Sequence, residues 1–600
     1  MTEDRAAKPR NGHDPRRDWF AYATASLAFL VTLLIAAPAT AYLFNTSEVT
    51  TAFLDLLGAS WKVLVIALAA VALLGVAARA KGRGFLTALL LGAALLLYLQ
   101  GNVLVRDYGK FDGAAVDWTR HRLAGTMEVL VWVGGLGAAL AFRRKLQRSA
   151  PRLVLLLILL NAASLGGHLV AGRSFDHATA SGLDDGFARF SRERNALVIV
   201  LDAFAGPAFE RILDDDPSWR DRLDGFTWYR DALAAYPTTL PSIPAILSGR
   251  TTDNARPVRE FLGESLSRAS LPVVLDDRGI ATATISEPIY GEYLAAVPFA
   301  SALSFLDGAP GDRRQRDALV IWNVALFRYA PHFLKMRLYS DGRWLLGEGG
   351  SLAAATEGVE LPFATAPPYC APSPNQQASR IIQRRLIDGA TVGGRRPTFK
   401  FLHFFTSHMP YFLDAQGAQL TQERLAELTE SGAVVPQSVA ALTQAVEILD
   451  RLATLGILEE TLVIMTGDHG SHVELLPGAR EAAAAARRPS PTAVLPLLLV
   501  KPIGASGALG VSEAPVGLTD IAATVAAALG VDHPFPGRPL TDVPENVPRP
   551  RIYHDYTWKH DYWWEEYLPP LTEFQVDGAV RNPASWSAGR ALPTGARAGS

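Results

Sequence analysis

Apolar positions are spread unevenly along the chain, and the first 172 residues read differently from the rest. Trp19 to Phe44 runs 26 residues without a charge, about 39 Å as a helix and enough to cross a hydrocarbon core of about 30 Å. Gly84 to Val105 and Leu153 to Val170 are further uncharged runs of 22 and 18 residues. Phe53 to Ala78 is apolar except for Asp55 near one end and Lys62, whose stem can carry its ammonium to the interface. Leu123 to Phe142 is interrupted by Glu128 and contains Gly134, Gly135 and Gly137. The pattern predicts a bundle of about five transmembrane helices, with the fourth the least regular.

Beyond Arg194 the period changes. Ala196 to Leu201 is a short β-branched run closed by Asp202, the mark of a strand buried on both faces, and similar runs recur at Thr398–Phe405, Thr461–Met465 and Leu495–Val500. Helical stretches separate them. Ser438 to Leu455 carries apolar residues at helical spacing and stops at Gly456, and Thr519-Asp520 caps a helix from Ile521 to Leu529 that stops at Gly530. Strands alternating with helices predict an α/β domain with a mostly parallel central sheet, whose functional groups gather at the carboxyl ends of the strands.

The expected organisation is a cytoplasmic N-terminus over 1–18, a transmembrane domain over 19–172, a linker over 173–194 and a catalytic domain over 195–545. An aromatic-rich segment over 546–584 and a disordered tail over 585–600 follow. Asp317 to Leu346, rich in aromatic and basic residues, suits either a membrane interface or a solvent-covered helix pair. The Tyr553–Tyr567 aromatics suit a face for sugars or headgroups or, better, packing on a sheet edge, and Glu474 to Pro491 suits a mobile loop near the site. Thirteen basic residues lie in the segments that are inside if the N-terminus is cytoplasmic, against Arg106, Lys110, Arg120 and Arg122 in the two outer loops. The positive-inside rule with an odd number of spans therefore exports the α/β domain, placing it outside a bacterial-type inner membrane. Ala39-Thr40-Ala41 mimics a signal cleavage site, but the apolar stretch is longer than the usual 7 to 15 residues or so, which favours an uncleaved helix.

Composition narrows the class. Only 19% of residues are charged, below the roughly 25% of soluble chains. Lys and Arg number 57 against 59 Asp and Glu, so no basic footprint for nucleic acid is expected. A single cysteine, Cys370, excludes an intramolecular disulfide and a cysteine-built zinc site.

Asp202 follows the first strand and Asp468-His469-Gly470 follows the third, while Thr238-Thr239-Leu-Pro-Ser242 reads as a helix start with Thr239 capping. Taken singly, these are a turn residue, a cap and a turn. Together, two carboxylates and an imidazole are ligands suited to a divalent ion such as zinc or manganese. Such an ion beside Thr239 favours its alkoxide, and free N–H groups at the helix start favour an anionic phosphoryl group. The set describes phosphoryl or sulfuryl transfer. His403, sharing a strand face with Phe405, reads as a core histidine; His472 suits either a second ion or solvent.

Asn195 to Leu540 resembles the alkaline-phosphatase/sulfatase superfamily. The matching pieces are Val198–Asp202, Thr239–Ser242, Ser407-His408-Met-Pro-Tyr411, Thr461–Gly470, Gly517–Asp520 and Gly537–Leu540. With its helical anchor, the chain is similar to lipoteichoic acid synthases and lipid A phosphoethanolamine transferases. The resemblance implies Thr239 as nucleophile, Asp202, Asp468 and His469 as metal ligands with it, one or two ions, and His408 as a contact to the substrate phosphate. It further implies transfer of a phospho-headgroup from a membrane phospholipid, through a phospho-threonine, to a glycan or lipid hydroxyl; hydrolysis at the same site is the alternative. Sulfatases of the superfamily carry cysteine or serine where Thr239 stands and usually a second acidic residue where Ala203 stands. Phosphoethanolamine transferases of the family often carry disulfides, which this chain cannot form.

Overall fold

The computed structural model describes residues 15–46, 49, 51–106, 108, 118–170, 175, 185–306, 310–339, 344–346, 374–421, 424, 427–532, 535–545, 547–557, 566–592 and 594–595. The chain divides into a helical unit, Met1–His177 with Ala309–Leu352, and an α/β unit, Ala178–Gly308 with Ala353–Ser600. The catalytic domain expected as continuous over 195–545 is thus interrupted. The aromatic-basic stretch between Pro310 and Leu346 belongs with the helices.

In the helical unit, Arg16–Phe44, Gly82–Asn102, Trp118–Ala141 and Arg143–Val170 are each long and apolar enough to cross a membrane. The first contains a π turn at Thr32–Ala36 just ahead of Pro38. The second expected span is broken: Phe53–Ala59 and Trp61–Ala77 meet at 59°. At the break, the Ser60 hydroxyl donates to the Leu56 carbonyl and accepts the Trp322 indole N–H at 2.8 Å. The fourth span is an uninterrupted helix despite Glu128, because that buried carboxylate is satisfied. Arg106 Nε (2.8 Å), Gln100 Nε2 (3.1 Å) and the His332 amide (2.9 Å) all donate to it. Pro310–Tyr329 and His332–Tyr339 complete the unit, with the Thr51 amide donating to Asp317 Oδ2 at 2.9 Å and Arg328 Nε to the Gly101 carbonyl at 2.9 Å. With four such helices and the broken pair, the chain is a membrane-anchored protein.

Among the described residues the α/β unit has thirteen strands: β1 Arg189–Phe190, β2 Asn195–Leu201, β3 Thr227–Tyr229, β4 Ala281–Ser286, β5 Phe299–Ser301, β6 Thr391–Val392, β7 Thr398–Phe404, β8 Thr461–Thr466, β9 Leu498–Lys501, β10 Gly510–Ser512, β11 Arg551–Asp555, β12 Leu571–Val576 and β13 Arg590–Leu592. The main sheet has eight, in the order β10-β3-β9-β8-β2-β7-β4-β5, and only β9 runs against the others. β9 is shorter than the expected Leu495–Val500 strand. The central β2, β7 and β8 are buried along their whole length, as their apolar runs require. Helix Glu430–Thr454 starts earlier than expected. It has the length and hydropathy of a membrane span, yet it packs in the α/β unit against the Gly206–Asp215 and Pro374–Gly389 helices and β2.

Three boundaries change. The expected linker contains β1, which pairs with β6. The aromatic-rich segment and the expected disordered tail form a three-stranded antiparallel sheet, β11-β12-β13, in which Leu571 pairs with Leu592. The stretch from Glu474 to Pro491 carries a helix, Ala479–Ala485, and Glu474 is anchored by the Leu476 amide at 2.9 Å. Tyr553 and Tyr556 are buried in the main core as expected; Trp558, Tyr562, Trp563, Trp564 and Cys370 lie outside the described residues.

Candidate active site

The site forms where β2, β7 and β8 end side by side. Parallel pairing aligns Val200 with His403 on β7 and with Thr466 on β8, so the residues just past these strands converge. Asp202 leaves β2 with its amide bonded to the Phe404 carbonyl at 2.8 Å. Ala203 then takes a left-handed conformation, φ 57°, which costs an alanine of order 1 kcal/mol and marks a constrained position. Its amide donates to Asp468 Oδ1 at 2.9 Å. The turn thus orients the second carboxylate.

Asp202 and Asp468 are buried, 1% and 0% exposed. One oxygen of each, Asp202 Oδ1 and Asp468 Oδ2, has no hydrogen-bond partner among the described residues. A buried carboxylate oxygen left in this state is costly unless a cation meets it. His469 Nε2 faces both, 3.9 Å from Asp202 Oδ1 and 3.5 Å from Asp468 Oδ2. The other nitrogen of that ring, Nδ1, lies 2.6 Å from the Gly470 carbonyl, and donation there leaves Nε2 as the free lone pair, the arrangement of a ligating imidazole. The Thr239 hydroxyl donates to Asp202 Oδ2 at 3.3 Å. The residues present therefore fit a divalent ion at Asp202 and Asp468, with an imidazole of His403 or His469 and the Thr239 hydroxyl beside it.

Helix Thr239–Ser248 positions the threonine, though not as expected: Thr238 is the N-cap and Thr239 the first helical residue. The Thr238 hydroxyl is bonded to the Tyr556 hydroxyl, and the Tyr290 hydroxyl donates to the Thr239 carbonyl at 3.0 Å. His408 lies past β7 with Nε2 3.9 Å from Asp202 Oδ1, and it is 38% exposed. Its loop is fastened from behind. Gln437 Nε2 donates to the His408 carbonyl at 2.8 Å while its Oε1 accepts from the Phe412 and Leu413 amides, and Gln376 Nε2 donates to the same His408 carbonyl at 2.6 Å. The His472 ring stands 5.6 Å from that of His469.

His403, which the strand pattern favours as a core histidine, belongs to the site as well. It is fully buried, but its Nε2 lies 3.1 Å from Asp202 Oδ2 and its Nδ1 3.1 Å from Ser286 Oγ. Ligand atoms of Asp202, His403 and Asp468 all lie within 4.8 Å of one another, so His403 is itself within reach of an ion. Both its nitrogens already have partners, whereas His469 faces the two orphaned oxygens; His403 is better placed to orient Asp202. The available signal was its register, one residue back from the end of β7 and beside β2. Burial raises the Asp202 pKa, but His408 and the hydrogen bond and charge of His403 outweigh it and hold the carboxyl well below its usual range. Burial lowers the His403 pKa, and the contact with Asp202 outweighs that and raises it.

Residues 363–531 match the sulfatase family profile, a span holding His403, His408, Asp468 and His469 but neither Asp202 nor Thr239. That stretch of the chain is similar to enzymes of the sulfatase family. Its fold is similar to that of the lipoteichoic acid synthase LtaP from Listeria monocytogenes, at 13% identity over 64% of this chain and 85% of that one, with a TM-score of 0.40. It is also similar to the phosphonate monoester hydrolase from Silicibacter pomeroyi, at 12% identity over 64% and 87%, TM-score 0.37. A protein of the alkaline phosphatase superfamily from Vibrio parahaemolyticus stands at 11% over 68% and 84%, TM-score 0.37. No curated protein matches the chain significantly.

Proposed function

We propose that the protein transfers a phospho-headgroup, of the phosphoethanolamine or phosphoglycerol type, from a membrane phospholipid to a glycan or lipid hydroxyl on the outer side of the inner membrane. The observation that carries this is the Thr239 hydroxyl on Asp202, one of two buried carboxylates that each leave an oxygen without a hydrogen-bond partner among the described residues. A divalent ion at those oxygens, zinc or manganese by its donor set, would favour the Thr239 alkoxide and offset the negative charge of the transferred group.

The chain's own residues then divide the work. Thr239 Oγ attacks the phosphorus; the Oγ–P bond forms and the bond from phosphorus to the diacylglycerol oxygen breaks. The threonine proton ends on the departing diacylglycerol oxygen, while Asp202, kept ionised, holds the Thr239 hydroxyl in place. In the second half the acceptor hydroxyl attacks the same phosphorus, the Oγ–P bond breaks, and Thr239 recovers a proton from the acceptor. His403 holds Asp202 in place, and His408 contacts the phosphate. Helical residues can hold such a site beside a donor confined to the bilayer.

Hydrolysis is the second reading, with water replacing the acceptor. It draws support from the exposure of His408 at 38%, which leaves that edge of the site open to water. Intact mass of the full chain in detergent, wild type and Thr239→Ala, after incubation with phospholipid and added zinc or manganese, distinguishes them. A mass increase on wild type alone identifies the transferred group. Headgroup release that depends on Thr239 without an adduct favours the hydrolase, and neither adduct nor release from metal-loaded protein refutes both.

A further inference from the structure

Helix His332–Tyr339 is built inside out for a helix in water. Its lysine and tyrosine, Lys335 and Tyr339, are 4% and 0% exposed, whereas Phe333, Leu334 and Met336 stand at 53%, 38% and 52%. The Lys335 ammonium donates to the Phe327 and Arg328 carbonyls and lies over the rings of Phe327, at 4.6 Å, and Tyr108, at 5.3 Å. A soluble amphipathic helix turns its apolar stripe to the core and its charges outward. This one buries Lys335 and turns Phe333, Leu334 and Met336 outward, with Arg337 exposed beside them and able to carry its guanidinium to a headgroup layer, a pattern that suits an apolar surface.

Its neighbours say which surface. The His332 ring lies against Gly125 of the fourth span, where a Cβ would come within 2.1 Å of it. The His332 amide donates to Glu128 and its Nδ1 meets the Tyr108 hydroxyl at 2.8 Å. The helix is therefore fastened beside the first turns of a span that also leaves Leu123, Met127 and Leu130 exposed. Tyr108, Trp118, Tyr339 and Trp344 cluster beside it, as aromatic residues do at the headgroup level.

We infer that His332–Tyr339 lies in the interfacial layer of the bilayer, with Phe333, Leu334 and Met336 among the lipid acyl chains. The segment between β5 and the Pro374–Gly389 helix thereby gives the chain a second attachment to the lipid, besides its N-terminal spans. The inference rests on the membrane placement of the helical unit and not on the chemistry at Thr239, so either can fail alone.

The test uses the full chain with Cys370→Ser, single substitutions Phe333→Cys, Leu334→Cys and Met336→Cys, a nitroxide label on each, and nanodiscs of phosphatidylcholine and phosphatidylglycerol. Leu130→Cys serves as the lipid reference and Val511→Cys as the aqueous one. The three labels are expected to match Leu130, with accessibility to oxygen relative to a nickel chelate several-fold above that at Val511. Chelate accessibility equal to that at Val511 overturns the inference in favour of a water-facing helix. Labels shielded from both reagents overturn it in favour of a protein covering the face. Three positions, each checked for the size-exclusion profile of the parent, keep one misfolded variant from deciding the outcome.

Discussion

Replacing Gly470 by alanine places a methyl group against the backbone that holds the metal-facing histidine. The new Cβ would stand 2.2 Å from the Thr492 carbonyl oxygen and 2.5 Å from the Ala493 carbonyl carbon, closer than the 3.0 Å below which real contacts essentially do not occur. Both neighbours are backbone, so no side chain can swing aside. Relief needs a displacement of at least 0.8 Å, the gap between 2.2 and 3.0 Å. That displacement opposes two hydrogen bonds tying the loop to the same segment, Gly470 N to Ala493 O at 3.1 Å and Ser471 N to Thr492 O at 2.9 Å. His469 shares the peptide, and its ring is oriented by the Gly470 carbonyl. Metal-ligand distances tolerate only about 0.2 Å, so the shift exceeds that tolerance roughly fourfold. We expect metal affinity to fall about 10- to 100-fold, turnover to fall about 100-fold, and stability to drop by about 1–3 kcal/mol. Zinc titration, headgroup release in detergent and thermal unfolding of the full chain measure the three. Gly263→Ala is the control, because its Cβ meets nothing within 4 Å on the Val258–Ser267 helix and should stabilise slightly. Metal affinity and turnover within about twofold of wild type would refute the claim that this close approach sets the His469 ring.

Gln437→Leu removes a fully buried side chain that bonds the His408 carbonyl and the Phe412 and Leu413 amides; stability should fall by about 2–4 kcal/mol and turnover by tenfold or more, since unpaired buried amides cost about 1–3 kcal/mol each, and unchanged turnover would show that His408 is positioned otherwise. His554 is buried against Tyr236, and burial, only partly countered by Glu573, holds its pKa below the ordinary 6.5. The unfolded chain therefore binds a proton there before the folded chain does, so its contribution is fully present above pH 6.5 and is lost as pH falls through the folded value. Thermal unfolding across that window should show a weaker pH dependence in His554→Asn than in wild type, and equal slopes would reject the assignment.

Much of the fold was legible because its determinants are local. Runs such as Asn195–Leu201 and Thr461–Thr466 have few polar atoms to place in water, and they became the central parallel strands. Length and hydropathy were less decisive by themselves: Glu430–Thr454 has the character of a span, yet its polar side chains are matched inside the α/β unit, with Gln444 Nε2 donating to the Ser379 carbonyl at 2.7 Å. The active-site residues were legible as strand-end carboxylates and a helix-start threonine. His403 was not, because alternation along β7 identifies a buried face without showing which carboxylate ends the neighbouring strand. The tail strand β13 was equally hidden, being composed of Arg590, Ala591 and Leu592 with no pattern of its own.

By itself the sequence determined the two kinds of environment, a lipid-compatible N-terminal third and an α/β remainder, together with the set of groups available for chemistry. Both follow from composition and period, which each segment carries with it. Only the tertiary structure decided which pieces joined. It moved Ala309–Leu352 out of the α/β unit and turned β9 against its neighbours. It set His403 on Asp202 and left Asp202 Oδ1 and Asp468 Oδ2 beside His469 without hydrogen-bond partners among the described residues. Those outcomes depend on contacts between residues far apart in the chain, whose energies belong to the pair and not to either segment.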